Sequence, residues 1–141
     1  MGREFHASIT IDADLSHLRK SAELVADCAK SLGLDSAQKQ ALDMSASEGL
    51  ANAIKHSSAT GSEGIVFEIK ATGNQIVITI SDNGPGFDFD KIPSPEFTTD
   101  IPEVKDHGYG IHIIRELTDD VRYEMHDGRN ILTMIWDIKE G

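Results

Sequence analysis

Residues 47–56 read Ser-Glu-Gly-Leu-Ala-Asn-Ala-Ile-Lys-His. On an α-helix, at about 100° per residue, Glu48, Asn52 and His56 fall on one side. The apolar residues gather on an adjacent side: Leu42, Ala46, Leu50 and Ala53. That side is predicted to pack against the core, so the helix presents a carboxylate and an amide one turn apart at the edge of its apolar stripe.

This polar pair has two interpretations. In the functional one, Glu48 orients or deprotonates a hydroxyl or a water molecule. Asn52 then offers its amide oxygen to Mg²⁺, which takes few protein ligands and leaves its other positions to phosphates and water. In the structural one, the two residues are an ordinary solvated pair at i and i+4, and His56 complements the dipole at the helix end. The helix alone does not decide between them.

The residues before this helix predict a strand and a further helix. Residues 3–11 alternate loosely between apolar and polar and predict the strand. Asp14 is a typical N-cap and Gly33 a typical residue just beyond a helix. Between them, apolar residues recur every three or four positions: Leu15, Leu18, Ala22, Val25, Ala29 and Leu32. This stripe is interpreted as core, with a partner-binding or dimer surface as the alternative.

The rest of the chain predicts two pairs of strands and a third helix. Asp35 and Gln38 form a capping-box pattern that opens the second helix, which runs to about residue 57. Residues 65–71 and 75–81 predict one hairpin. A helix over residues 111–118 is followed by two more strands: residues 121–126 and 130–138, joined by an Asp-Gly turn.

Residues 84–108 carry no helical or strand period, and their glycines, prolines and charges are typical of a functional lid or of disorder. We assign the lid to about residues 85–107. The order β-α-α-β-β-lid-α-β-β predicts one α+β domain over residues 1–141. Its expected form is a two-layer sandwich, with helices packed on one face of a mixed, mostly antiparallel sheet and a mobile lid.

Composition excludes several classes of protein. The chain has 141 residues, with 13 Lys and Arg against 24 Asp and Glu, which gives a net charge of −11. This balance argues against direct nucleic-acid binding, which depends on basic side chains. No apolar run is long enough to predict a membrane span, and the N-terminus does not resemble a signal peptide. The lone cysteine, Cys28, suits a reducing cytoplasm.

A second polar cluster, Asp82-Asn83-Gly84-Pro85-Gly86, follows the strand of residues 75–81. Asn-Gly is also a strong hairpin signal, but no returning strand follows it here. A carboxylate at a strand end suits another task, because Asp82 can accept a hydrogen bond from an exocyclic amine. The two glycines allow the backbone to approach a flat base or a ribose.

A third cluster, Gly108-Tyr109-Gly110, opens the third helix. Glycines at a helix start leave backbone N–H groups free to face an anion, with the helix dipole behind them. The pattern lacks the third glycine of a dinucleotide-binding motif, and no P-loop occurs in the chain. Phosphate binding here would depend on backbone dipoles and a metal ion.

Together and in this order, the three clusters resemble the N, G1 and G2 boxes of the histidine-kinase-like ATPases, which have the Bergerat nucleotide-binding fold. Residues 47–56 match the family pattern Glu-x-x-x-Asn-Ala-x-x-His, and Asp82-x-Gly84-x-Gly86 matches the second box. Phe97-Thr98-Thr99 and residues 107–111 complete the run. The short chain and its N-terminal strand are similar to the anti-sigma factor serine-protein kinases of bacterial partner switches. Asn-Gly-Pro-Gly at the second box is closer to a sensor histidine kinase, but the chain lacks the phosphoacceptor His helix of those proteins.

The resemblance implies a role for each matching residue. Glu48 is the implied base, Asn52 the Mg²⁺ ligand and Asp82 the residue that reads adenine. Arg19, on the first helix, matches a family arginine near the γ-phosphate and the partner surface. The remaining implied ATP or ADP contacts are Gly84, Gly86, Thr98, Thr99, Gly108, Tyr109, Gly110 and Ile111.

The same resemblance implies an activity and partners. The implied activity is that of a cytoplasmic, ATP- and Mg²⁺-dependent protein serine/threonine kinase. Its implied substrate is an anti-sigma-factor antagonist of the STAS type, and its second partner is an RNA polymerase sigma factor. Family members are often homodimers. The alternative is a non-catalytic binding module gated by ATP, and a third possibility is a detached ATPase.

Overall fold

The computed structural model describes residues 4–57, 64–86 and 109–138. In chain order its elements are β1 (Phe5–Ile11), a 3₁₀ turn (Leu15–His17), α1 (Leu18–Leu32), α2 (Ser36–Ser57), β2 (Ile65–Thr72), β3 (Gln75–Asp82), α3 (Tyr109–Leu117), β4 (Asp120–His126) and β5 (Arg129–Asp137). The predicted order of helices and strands is confirmed. The predicted lid lies, beyond Gly86, outside the described residues.

The strands form a five-stranded sheet in the order β1-β2-β3-β5-β4. All four pairings between described strands are antiparallel. Alternate residues are buried, as along Ile76, Ile78 and Ile80 of β3, because one face of the sheet packs against the helices. The expected two-layer α+β sandwich is confirmed.

The helix α2 occupies the middle of the helical layer and contacts α1, α3, β2 and β3. Gly49 allows it to lie close to the sheet, because a Cβ atom placed there would come within 2.9 Å of Ile80 Cδ1 and 3.0 Å of Leu132 Cδ2. The predicted core residues of α2 are all buried: Leu42, Ala46, Leu50 and Ala53.

The predicted start of α2 is confirmed, whereas the predicted start of the first helix is wrong. At α2 both capping-box bonds form: Asp35 N donates to Gln38 Oε1 at 3.0 Å, and Gln38 N donates to Asp35 Oδ1 at 2.7 Å. Asp14 does accept a bond from Ser16 N, at 2.9 Å, but it caps the 3₁₀ turn. The core stripe predicted to begin at Leu15 is therefore wrong at its first residue. Leu15 lies in that turn and is 51% exposed.

The lone cysteine belongs to the core. Cys28 on α1 is fully buried, and burial raises the pKa of its thiol to about 11. Because the thiolate is the reactive form, this cysteine is a packing residue. Within the described ranges, no helix has both the length and the apolar character needed to cross a bilayer.

Candidate functional site

The structure brings the first predicted cluster against the start of α3. A Cβ atom placed on Gly110 would lie 2.7 Å from Glu48 Oε2 and 3.5 Å from Asn52 Nδ2. Because Gly110 has no Cβ atom, the first turn of α3 packs directly on this carboxylate and amide without displacing either one. Asn52 is buried, with 9% of its surface exposed, and Glu48 is half-buried.

This contact depends on where α3 begins. The sequence predicted a helix from about residue 111 that is opened by Gly108-Tyr109-Gly110, and α3 (Tyr109–Leu117) agrees with this and has Gly110 in its first turn. The first N–H groups of a helix have no partner within it, and the helix dipole adds partial positive charge there. The negative Glu48 therefore lies at a favourable position, and an anion such as a phosphate would be bound at the same helix end.

The second cluster lies against the other end of the site. A Cβ atom on Gly84 would come within 2.6 Å of His56 O, a backbone carbonyl near the C-terminal end of α2. The chain that leaves β3 therefore packs directly on α2. All three clusters meet around the C-terminal half of this helix, although they are separated in the sequence.

Asp82 is buried at the end of β3, with 5% of its surface exposed. Its Oδ1 accepts hydrogen bonds from Gly84 N and from Asn130 Nδ2, both at 2.9 Å. Asn130 Nδ2 also donates to Gly84 O at 2.8 Å. Among the described residues both donors reach Oδ1, which leaves Oδ2 as the oxygen that can accept a bond from a ligand.

Asn130 is a site residue that the sequence analysis missed. Residues 130–138 were predicted to form a strand, and β5 does bury every second residue from Asn130 to Trp136. The signal was available in that alternation, because an asparagine at an inward position is a polar group on an otherwise apolar face. Buried polar side chains of this kind are normally hydrogen-bonded to a specific partner.

A small pocket joins the clusters. Its lining residues are Gly49, Asn52, Ala53, His56, Ile80, Asp82, Ile111, Tyr123 and Leu132. Apolar walls with one buried carboxylate have the chemistry that a flat heteroaromatic base with an exocyclic amine requires. The volume of the pocket is about 10 Å³, which is smaller than a base, so the lining must move apart to admit one. The pocket thus contains three of the predicted site residues, Asn52, Asp82 and Ile111.

The other predicted site residues have separate outcomes. Gly86 has a φ of 73°, and a Cβ atom there would come within 2.7 Å of Asn130 Oδ1, so both backbone and space require glycine. Arg19 lies exposed in the first turn of α1. Thr98, Thr99 and Gly108 lie outside the described residues, and so does the side chain of Tyr109. The roles assigned to these residues stay predictions.

Comparison with known proteins decides the family. A family model described as the histidine kinase-like ATPase domain matches residues 11–136. The chain belongs to this family. The resemblance inferred from the three clusters is therefore confirmed. Since the family is one of ATPase domains, the chain is a kinase or an ATPase and binds ATP or ADP.

Two relatives of this histidine kinase-like ATPase domain are informative. The serine/threonine-protein kinase BtrW of Bordetella bronchiseptica is 26% identical over 94 residues, which cover 66% of this chain and 66% of that protein. A crystal structure of the RsbU and RsbW domains of Rv1364c from Mycobacterium tuberculosis aligns with a TM-score of 0.69 at 19% identity. That alignment covers 94% of this chain and 32% of the other, so it shows the fold. The matches thus extend over about two thirds of one protein and about one third of the other.

Proposed function

We propose that the chain is an ATP- and Mg²⁺-dependent protein serine/threonine kinase of a bacterial partner switch. The observation that carries the proposal is the packing of Gly110 on Glu48 and Asn52, 2.7 Å and 3.5 Å from its Cβ position. It places a carboxylate, an amide and a helix N-terminus together, next to the pocket that contains Asp82.

The proposed pose of the nucleotide follows α2. The base lies at the Asp82 end, where Oδ2 accepts a hydrogen bond from its exocyclic amine. The phosphates extend along the helix toward the first turn of α3. From His56 to Glu48 the helix rises by about 12 Å, over eight residues at about 1.5 Å each, which an extended nucleoside triphosphate can cover. The γ-phosphate then lies near Glu48.

The donor set fits Mg²⁺. The amide oxygen of Asn52 would hold the ion together with phosphate oxygens and water, which is the kind of site that Mg²⁺ prefers. Within residues 4–57, 64–86 and 109–138, no three His, Cys, Asp or Glu side chains cluster as they would around a metal ion. In this proposal the nucleotide supplies most of the ligands of the ion. When bound, the ion supplies positive charge to the phosphates.

Glu48 has the proposed role of the base. Its carboxylate accepts a hydrogen bond from the hydroxyl of a substrate serine or threonine and orients that oxygen for in-line attack on the γ-phosphorus of ATP. The new O–P bond forms as the bond to the bridging oxygen breaks, ADP leaves, and Glu48 takes the proton of the hydroxyl. The N–H groups at the start of α3 stabilise the charge on the transferred phosphoryl group.

The proposed partners follow from the resemblance and from the relatives. BtrW is named as a serine/threonine-protein kinase, and the aligned crystal structure contains an RsbW domain. We assign a STAS-type anti-sigma-factor antagonist as the substrate and an RNA polymerase sigma factor as the second partner. Phosphorylation of the antagonist adds negative charge at its contact surface and releases the kinase for sigma. The exposed Arg19 belongs to the proposed partner surface, and a homodimer in the cytoplasm is part of the same proposal.

The test is transfer of label from γ-labelled ATP, with Mg²⁺, into a lysate of the source cells. We compare the unmodified protein with Glu48→Gln, and use Ser47→Ala on the exposed side of the same turn as the matched control. We expect a small protein labelled on serine or threonine with the unmodified chain and Ser47→Ala, and at least about a hundredfold less label with Glu48→Gln.

Three results contradict the proposal. Full transfer by Glu48→Gln, with normal ATP binding, shows that Glu48 is not the base. Tight ATP binding by the unmodified chain with no labelled product favours the alternative, a binding module gated by nucleotide. Steady release of phosphate without any protein substrate favours a detached ATPase.

A further inference from the structure

We propose that Asn130 is a positioning residue that fixes the Asp82 carboxylate and thereby makes the site select a base with an amino group at position 6. The inference rests on the proposed function, because it concerns the nucleotide that the pocket binds. It starts from the short hydrogen bond between Asn130 Nδ2 and Asp82 Oδ1, at 2.9 Å, between two buried side chains.

The orientation of the Asn130 amide follows from its partners. Its amide group faces Asp82 Oδ1 at 2.9 Å and Gly84 O at 2.8 Å. A backbone carbonyl accepts and never donates, and so does an ionised carboxylate. The NH₂ group must therefore point to these two oxygens, and the amide cannot be flipped.

This bond fixes which oxygen of Asp82 is presented. Oδ1 accepts hydrogen bonds from both Asn130 Nδ2 and Gly84 N, so the carboxylate cannot rotate without breaking these two hydrogen bonds. The remaining oxygen, Oδ2, is held as an acceptor at the pocket. An acceptor with a fixed position favours an amino group and rejects a keto oxygen, since two acceptors facing each other repel.

The other atom of the amide is packed against the glycine segment. Asn130 Oδ1 is buried and has no hydrogen-bond partner in the described part of the chain. It lies against Gly86, where a Cβ atom would come within 2.7 Å of it. The absence of a side chain at Gly86 therefore leaves room for the amide that holds Asp82.

A purely structural role for Asn130 does not account for this arrangement. The inward positions that follow it along β5 are apolar: Leu132, Met134 and Trp136. An apolar residue at position 130 would continue that row without leaving a buried oxygen unpaired. The amide instead connects β5 to the end of β3 and to the glycine segment after it.

The experiment compares ATP with inosine triphosphate, which carries oxygen in place of the amino group at position 6. Binding of both is measured by calorimetry with Mg²⁺ for the unmodified chain, Asn130→Ala and the control Thr133→Ala, which lies three residues along β5 and therefore on the opposite face. We expect the unmodified chain and the control to bind ATP at least about tenfold more tightly than inosine triphosphate. In Asn130→Ala this ratio should fall several-fold, mainly through weaker ATP binding.

A second variant separates positioning from packing. Asn130→Asp keeps the shape of the side chain but cannot donate to Asp82 while it is ionised, so we expect the same loss of preference. Thermal unfolding without nucleotide is measured for every variant. An unchanged ATP preference in Asn130→Ala and Asn130→Asp, with reduced stability alone, would overturn the inference. Failure of the unmodified chain to bind either nucleotide would instead overturn the proposed function.

Discussion

At the scale of single residues, close packing explains why three positions in the second and third clusters are glycine. Gly84 faces a backbone carbonyl of α2, Gly86 faces the Asn130 amide, and Gly110 faces Glu48 and Asn52. At each of these positions a Cβ atom would come closer than 3 Å to another atom. Gly84 and Gly110 therefore allow two backbone segments to pack directly on α2, and Gly86 allows the first of these segments to pack on β5 as well.

Gly110→Ala tests this steric argument at the site. The added Cβ atom would displace Glu48 Oε2, the far end of a side chain, so the helix itself can accept the change. Alanine also favours helix over glycine by about 1 kcal/mol, so we expect unchanged or slightly higher stability. Phosphoryl transfer should fall by at least about tenfold, because misplaced catalytic groups are costly. Thermal unfolding and the label-transfer assay measure the two effects.

A contrasting glycine serves as the control. Gly128, in the turn between β4 and β5, has a φ of 77° and nothing within 4 Å of its Cβ position. Gly128→Ala should lower stability by about 1 kcal/mol through backbone strain and leave transfer unchanged. If Gly110→Ala instead keeps full transfer, the contact between Gly110 and Glu48 has no part in the chemistry.

At the scale of the elements, α2 connects the core to the site. Its buried residues face the sheet and the neighbouring helices, while Glu48 and Asn52 lie at the edge of that face beside α3. Any shift of this helix relative to the sheet therefore moves both site residues together. Its distance from the sheet is set in part by Gly49.

Gly49→Ala measures how closely α2 must approach the sheet. The added atom would lie 2.9 Å from Ile80 Cδ1, 3.0 Å from Leu132 Cδ2 and 3.4 Å from Met134 Cε. Overpacking of this kind costs about 1–3 kcal/mol, and the gain in helix propensity offsets about 1 kcal/mol. We expect a net loss of about 1 kcal/mol in the free energy of unfolding, measured by urea denaturation.

The matched control for this measurement is Ser47→Ala, an exposed position two residues earlier on α2. It should change the free energy of unfolding by no more than about 0.5 kcal/mol. Equal stability of Gly49→Ala and Ser47→Ala would show that the core at this point accommodates the extra atom without strain.

Local signals in the sequence predicted most elements and failed where local geometry departs from the standard helix. The capping box at Asp35 and Gln38 and the Asp-Gly turn before β5 are confirmed, because each depends on a few neighbouring residues. Leu15 was misplaced because a 3₁₀ turn precedes α1 and changes the angular period. The start of α3 agrees with the prediction of a helix from about residue 111 that Gly108-Tyr109-Gly110 open.

At the scale of the whole molecule, topology brings together what the sequence separates. Periodicity predicted β3 and β5 as strands but not as neighbours, and their pairing places Asn130 directly opposite Asp82. Resemblance to a family joined the three glycine-containing clusters, whereas Asn130 carried no motif. The predicted contacts of Thr98, Thr99 and Gly108 fall outside the described residues. The single-domain organisation over residues 1–141 also stays a prediction.

The measurement that tests this interpretation most directly is calorimetric titration of ATP and Mg²⁺ into the unmodified chain and into Asp82→Asn. The substituted side chain can keep an oxygen facing Gly84 N and Asn130 Nδ2, but it then presents an NH₂ group to the base. We expect the unmodified chain to bind ATP and Asp82→Asn to bind it at least about tenfold more weakly, a loss of about 1.4 kcal/mol or more. Thermal unfolding without nucleotide should confirm that both proteins are folded. Equal affinity of the two folded proteins for ATP would contradict the placement of the base at Asp82.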